Sequence, residues 1–148
     1  MHAVKNYLFF LLVLLLVLSL AGCRKIYMVE AYPTSNGWAF SIPDITAKYN
    51  NGTPFLVIDF VINKHPCQQN CAVWEFAITE QPNTLNTDNP LAFTNKLIYG
   101  QLPAGMQVSV PAKPLEIGTY SIAGTIAEYD RRGKPAATLL LHGEFQVR

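Results

Sequence analysis

Between Ala72 and Thr79 the chain has a period of two. Trp74, Phe76 and Ile78 point one way, and Val73, Glu75, Ala77 and Thr79 the other, which is the pattern of a strand with two unlike faces. Trp38, Phe40 and Ile42 share a face in the same manner. Leu139, Leu141, Phe145 and Val147 share one with Gly143, opposed by Leu140, His142, Glu144 and Gln146. Residues 55 to 62 are apolar almost throughout, as in a central strand or one buried on both faces. Further strands are expected at 26–29 (a first edge strand), 97–99, 106–110, 119–129 and 138–147. Asn51-Gly52, the polar stretch Gln81–Pro90 and Asp130-Arg131-Arg132-Gly133-Lys134 supply the turns. No segment after Cys23 shows a sustained apolar spacing of 3.6 residues. The expectation is an all-β, antiparallel β-sandwich over residues 30–148. Its expected core is Trp38, Leu56, Ile58, Phe60, Ile62, Trp74, Phe76, Ile78, Tyr120, Ile122, Leu139, Leu141, Phe145 and Val147.

The N-terminus obeys a different rule. From Leu8 to Leu20 there are 13 residues without a charge, and only Ser19 is polar. As a helix this run would be about 20 Å long, against a hydrocarbon core of about 30 Å. It follows Lys5 and ends in small residues, which is the layout of an export signal. The ending Leu20-Ala21-Gly22-Cys23 resembles the bacterial lipobox. That resemblance implies a signal peptide over residues 1–22, cleavage before Cys23, and acylation of the Cys23 thiol. Residues 23–29 would then form a lipidated tether. Lys5 stays on the cytoplasmic side, so the domain faces the periplasm. In similar lipoproteins Asp after the lipidated Cys commonly retains the protein in the inner membrane. Arg24 stands there instead, implying the outer membrane as the address. One acyl chain holds a protein only reversibly, and lipoproteins of this type carry two or three.

Loss of the first 22 residues leaves 126, with 10 basic and 10 acidic side chains. That is enough for one core. The lack of a basic excess argues against a nucleic-acid role. The apolar and aromatic content likewise excludes a disordered chain.

Leu115-Glu116-Ile117-Gly118-Thr119-Tyr120 resembles the tyrosine-corner segment of immunoglobulin-like and fibronectin-III-like domains. There the tyrosine opens the penultimate strand and its hydroxyl bonds back to upstream backbone. Residues 102–110 are similar to the strand that leads into such a corner in bacterial immunoglobulin-like domains. Transthyretin-like sandwiches are the rival type. They too occur among small bacterial lipoproteins, including the anchoring lipoprotein of type VI secretion.

Cys67 and Cys71, in Lys64-His65-Pro66-Cys67-Gln68-Gln69-Asn70-Cys71, are an even pair in an exported domain. A disulfide is the expected state. It would close a five-residue ring, worth roughly 2 kcal/mol. Two sharper readings use the same residues. Redox chemistry needs two intervening residues and a helix N-terminus; here there are three, followed by a strand pattern. A metal site from His65, Cys67 and Cys71 has suitable donors for zinc or copper, with His142 as the fourth only if the fold brings it near. No cofactor is expected. His142 itself reads as a polar residue on the solvent face of its strand. Asp59, inside an apolar strand, needs a hydrogen-bond partner if buried. The cluster Arg131, Arg132 and Lys134 suits an acidic partner, a lipid headgroup or plain solvent. Neither Gly-x-Ser-x-Gly nor His-Glu-x-x-His occurs, and no glycine-rich phosphate loop. Asn51-Gly52-Thr53 matches a glycosylation sequon, which a bacterial lipobox makes irrelevant.

The expected function is therefore non-catalytic: a lipid-anchored, periplasm-facing interaction module with a protein partner, serving an envelope or secretion assembly. The alternatives are an inhibitor or immunity-type lipoprotein, or a small metal-binding protein. The cysteine loop and Gln81–Pro90 are the expected contact surfaces. Cys23→Ser is predicted to abolish acyl-chain labelling and leave a precursor 22 residues longer than the mature form. A Cys23→Ser chain still labelled with palmitate and running at mature size would contradict the lipobox.

Overall fold

The computed structural model describes residues 25–93 and 96–148. The expected signal segment 1–22 and the expected lipidation position Cys23 lie outside the described residues. The elements are β1 (Ile26–Met28), β2 (Glu30–Thr34), β3 (Gly37–Ser41), α1 (Pro43–Asn50), β4 (Phe55–His65), β5 (Ala72–Ile78), β6 (Lys96–Ile98), β7 (Met106–Val110), β8 (Gly118–Tyr129) and β9 (Pro135–Val147). The larger sheet has the order β1-β9-β8-β4-β5-β7, and the smaller β2-β3-β6. Their inner faces share one core, so the mostly-β architecture anticipated from the alternation is present. Among the described residues no helix is long and apolar enough to cross a membrane.

β8 and β9 form the spine. They pair antiparallel from Gly118↔Val147 to Tyr129↔Pro135. The turn between them is made by Asp130, whose Oδ1 accepts the backbone N–H groups of Arg132 (2.8 Å) and Lys134 (2.9 Å). Gly133 sits at φ +76, and an added Cβ would meet the Leu85 carbonyl at 2.6 Å. Glycine is needed there both for its backbone angle and for its missing side chain. β4 pairs with β8 on one side and β5 on the other.

An aromatic cluster joins the two sheets. Phe40 of β3 lies 5.7 Å from Phe60 of β4 and 5.6 Å from Phe145 of β9, centroid to centroid. Phe145 also stacks on Tyr120 at 5.1 Å. These separations are within the favoured range for ring pairs. A second, smaller cluster lies on the outer face of the large sheet. There Leu56, Ala127 and Tyr129 are covered by Leu85 and Ala92 of the segment after β5. β4 is thus buried on both faces, which explains its continuous apolar run.

Three expectations need correction. First, α1 is a helix in a stretch where no helical period was visible. It has eight residues, begins with Pro43 and buries only Ile45, too short a stripe to register as a period. Second, the sheet is not wholly antiparallel. β1 runs parallel to β9, with Ile26↔Leu140 and Met28↔His142. Ile26–Met28, inside the expected tether 23–29, are therefore part of the sheet, and Tyr27 is fully buried. Third, Leu56 and Ile58 do not share a face with Phe60 and Ile62. A register shift between Val57 and Asp59 reverses the phase. Phe55 and Val57 join Phe60 and Ile62 in the main core, and Leu56 and Ile58 face the outer cluster. Ile78 likewise parts from Trp74 and Phe76: it packs against the outer cluster, while they lie in the main core. The other expected core residues lie as anticipated, with Trp38 and Val147 only partly buried.

β1 crosses β9 closely at Gly143, where an added Cβ would meet the Val29 carbonyl oxygen at 2.5 Å. Val29 N–H donates to the His142 carbonyl at 2.7 Å. Gly143→Ala is predicted to destabilise the fold by about 1–3 kcal/mol through this overpacking, measured as a shift in the urea unfolding midpoint. A wild-type midpoint would show that β1 is free to move away.

Candidate interaction site at the disulfide end

The ends of β4, β5 and β8 gather four chemically distinct features. The first is the β4–β5 connection. Cys67 and Cys71 lie at disulfide distance, with Sγ atoms 2.10 Å apart and Cα atoms 5.5 Å apart. His65 to Asn70 are all exposed. Lys64 N–H donates to the Cys71 carbonyl at 3.0 Å, closing the base of the loop. Gln68, Gln69 and Asn70 thus present amide groups from a short cross-linked ring.

The second feature is the anchor of Tyr120. Its hydroxyl donates to the Glu116 carbonyl at 2.8 Å and accepts the Glu116 N–H at 3.0 Å. The tyrosine is 1% exposed, so this pair of bonds ties the 111–117 segment to the buried core. It is the hydrogen bond to upstream backbone expected from the sequence at this position. Leu115 packs against the core. Ile117 is turned outward and is 80% exposed. The register His65↔Thr119 puts Ile117 beside the disulfide loop. An isolated surface isoleucine is ordinary. One held rigidly next to a constrained polar ring is a ready-made contact point.

The third feature is an ion pair across the same gap. Lys64 and Glu116 are in direct contact. The Lys64 ammonium, as hydrogen-bond donor and positive charge, holds the Glu116 carboxyl below the usual carboxylate range. Glu116 in turn holds Lys64 above its ordinary value. Their exposure makes the pair a positioning device for the 111–117 segment rather than a large source of stability.

The fourth is a strap along β5. Lys113 N–H donates to the Val73 carbonyl at 2.9 Å, and Lys113 Nζ to the Ala72 carbonyl at 3.1 Å. The Tyr99 hydroxyl donates to the Lys113 carbonyl at 2.6 Å. Burial pushes the Tyr99 phenol up to about 12, so it remains a donor at any physiological pH. A shallow groove of about 590 Å³ runs between the strap and the loop, lined by Asn63, Asn70, Glu75 and Lys113 among others.

The remaining sequence candidates are dispersed. His65 Nε2 lies 2.7 Å from Ser121 Oγ. With Cys67 and Cys71 at bonding distance, the sulfurs have no free thiolate to offer a metal. Among the described residues no group of three or more His, Cys, Asp or Glu side chains is arranged for a metal ion. His142 is exposed on the outer face of β9, level with Met28 and Ala123. Asp59 is half-buried and accepts the Thr125 hydroxyl at 2.6 Å. The Gln81–Pro90 loop lies at the opposite end of the sheet. It is pinned there by Leu85 N–H on the Gly133 carbonyl (2.9 Å) and the Tyr129 hydroxyl on the Pro82 carbonyl (2.7 Å). The two loops expected as contact surfaces therefore do not form one site. Ile117 was not singled out by sequence, because the alternation around Tyr120 does not reveal which neighbour faces out. Comparisons with protein-family models, curated proteins and solved structures gave no match.

The carboxylate and ammonium shifts fix a pH window. Glu116, lowered by Lys64, contributes above its unfolded value and loses that contribution as pH falls through the folded one. Lys64, raised, contributes below its unfolded value and loses it as pH rises through the folded one. The pair therefore operates across the neutral range. Lys64→Met is predicted to raise the Glu116 carboxyl back to the ordinary glutamate range, read by NMR of its side-chain carboxyl. An unchanged Glu116 titration would mean that the ion pair does not form in solution.

Proposed function

We propose that this protein is a lipid-anchored, non-catalytic interaction module, held at Cys23 and facing the periplasm. In this reading it is an accessory lipoprotein of an envelope or secretion assembly. The observation that carries the interaction role is the placement of Ile117, 80% exposed, at the same end of the sheet as the cross-linked Cys67–Cys71 loop. The role needs no reactive group: a preorganised contact surface binds with little ordering cost. The Tyr120 hydroxyl on the Glu116 backbone supports an immunoglobulin-like type of sandwich, whose loops commonly serve recognition. The lipobox-like Leu20-Ala21-Gly22-Cys23 supports the anchor and the outer-membrane address.

The second reading is an inhibitor or immunity-type lipoprotein. The same exposed ring favours it, since a short cross-linked loop is what an enzyme cleft accepts. Both readings place the contact at Ile117 and the loop, and the identity of the partner separates them.

The test uses the full, tagged chain in its own envelope. Ile117→Asp is predicted to weaken capture of a stable partner about 10-fold or more, as removal of a central apolar contact does, with an unchanged unfolding midpoint. Thr84→Ala, exposed in the loop at the opposite end of the sheet, serves as the control. A partner that is a membrane-complex subunit supports the assembly role, and a hydrolase supports the inhibitor role. Equal capture by wild type and Ile117→Asp would move the contact elsewhere on the domain.

A further inference from the structure

We infer that the domain does not hang free on its anchor. It seats the β1–β9 edge and the β8–β9 turn against an anionic bilayer surface, so that the disulfide end is held away from the membrane. This rests on the proposed lipidation of Cys23.

Three independent placements converge on that edge. Only Arg24 and Lys25 separate Cys23 from β1, so Ile26 can stand at most about 10 Å from the anchoring cysteine. A strand this close to an acylated residue cannot leave the membrane surface. Second, the outward side chains of this strand are apolar. Ile26 is 55% exposed and Met28 56%, and Leu140, opposite Ile26, is 36% exposed. They form one contiguous patch on the outer face, beyond the reach of the segment that covers Leu56 and Tyr129. An apolar patch with an adjacent acyl anchor fits shallow insertion at the headgroup boundary.

The third placement is charge. Because β1 runs parallel to β9, its start points toward the β8–β9 turn. Arg131, Arg132 and Lys134 are exposed at that turn, and Lys25 is exposed at the entrance to β1. Nearby negative charge is largely engaged. Asp130 accepts two backbone N–H groups, and Glu128 pairs with Lys48 at 3.2 Å. Asp88, on the adjoining loop, is exposed and remains as a counterweight. Cations clustered beside an apolar patch suit an anionic lipid surface, where each exposed Lys or Arg adds several-fold to binding. The opposite end carries Glu144 and Glu116 interspersed with Lys64, Lys113 and Arg148, with Glu116 engaged by Lys64. What distinguishes the turn end is the close run of Arg131, Arg132 and Lys134 in one exposed turn.

The experiment uses the full chain reconstituted into vesicles of phosphatidylethanolamine and phosphatidylglycerol, with brominated acyl chains as quencher. One variant carries Leu140→Trp. The other carries Val108→Trp, on β7 at the far edge of the same sheet, where Val108 is 41% exposed. Leu140→Trp is expected to emit at shorter wavelength and to be quenched about twofold or more beyond Val108→Trp, as insertion at the headgroup boundary requires. Arg131→Glu with Arg132→Glu is expected to remove that difference, while the chain still floats with the vesicles and keeps its unfolding midpoint. Both arginine side chains are exposed, so the folded turn does not depend on them. Equal quenching at the two positions, in a chain that floats, overturns the seat and leaves the anchor intact. A chain that neither floats nor takes an acyl label at Cys23 overturns both. A shortened emission wavelength in detergent alone, with a dimeric mass, assigns the patch to a second copy and overturns the seat.

Discussion

The structure depends on Phe145. It touches Trp38 at 4.9 Å and Phe40 at 5.6 Å in the small sheet, and Tyr120 at 5.1 Å within the large one. Aromatic pairs at such distances add attraction beyond simple burial. The same contact that closes the sandwich fixes the ring of Tyr120, and the Tyr120 hydroxyl fixes the backbone of Glu116. From there the 111–117 segment has little freedom, so Ile117 and the Lys64–Glu116 pair inherit their positions from the core. Loosening Phe145 would therefore disturb the candidate site without touching any residue in it.

Much of this was legible in residue order. The alternation at 72–79 and 138–147 placed two strands, and the polar turn at 130–134 joined the longest pair. The spacing of Cys67 and Cys71 foretold a short loop with its two cysteines at disulfide distance. What was hidden has physical causes. One inserted residue near Ile58 reverses the facing of everything before it, and no hydrophobic period can show that when both faces of β4 are buried. α1 has a single buried residue and so no period at all. The parallel pairing of β1 depends on a partner more than a hundred positions away, Ile26 with Leu140. The exposure of Ile117 depends on a hydrogen bond from Tyr120 rather than on its own neighbours.

The two loops lie at opposite ends of one continuous sheet. Gln81–Pro90 is packed under Gly133 at one end, and the cysteine loop caps the other. β4 spans the distance between them with eleven residues, about 35 Å at strand rise. Its neighbours β5 and β8 hydrogen-bond along it, so the spacer is a sheet and not a flexible linker.

A rigid spacer changes what the proposed lipid does. A domain on a long flexible tether samples all orientations, and a partner must wait for the right one. The interval between Cys23 and the first paired residue is two residues, and with Cys23 acylated as proposed it would be too short to decouple the domain from a membrane. Anchoring at β1 then fixes both height and orientation of Ile117 and the disulfide loop. A partner embedded in the same membrane would meet that surface at a set distance, which raises its effective concentration there without any added contact. Such geometry favours recognition of a large, membrane-bound assembly over capture of a small diffusing ligand.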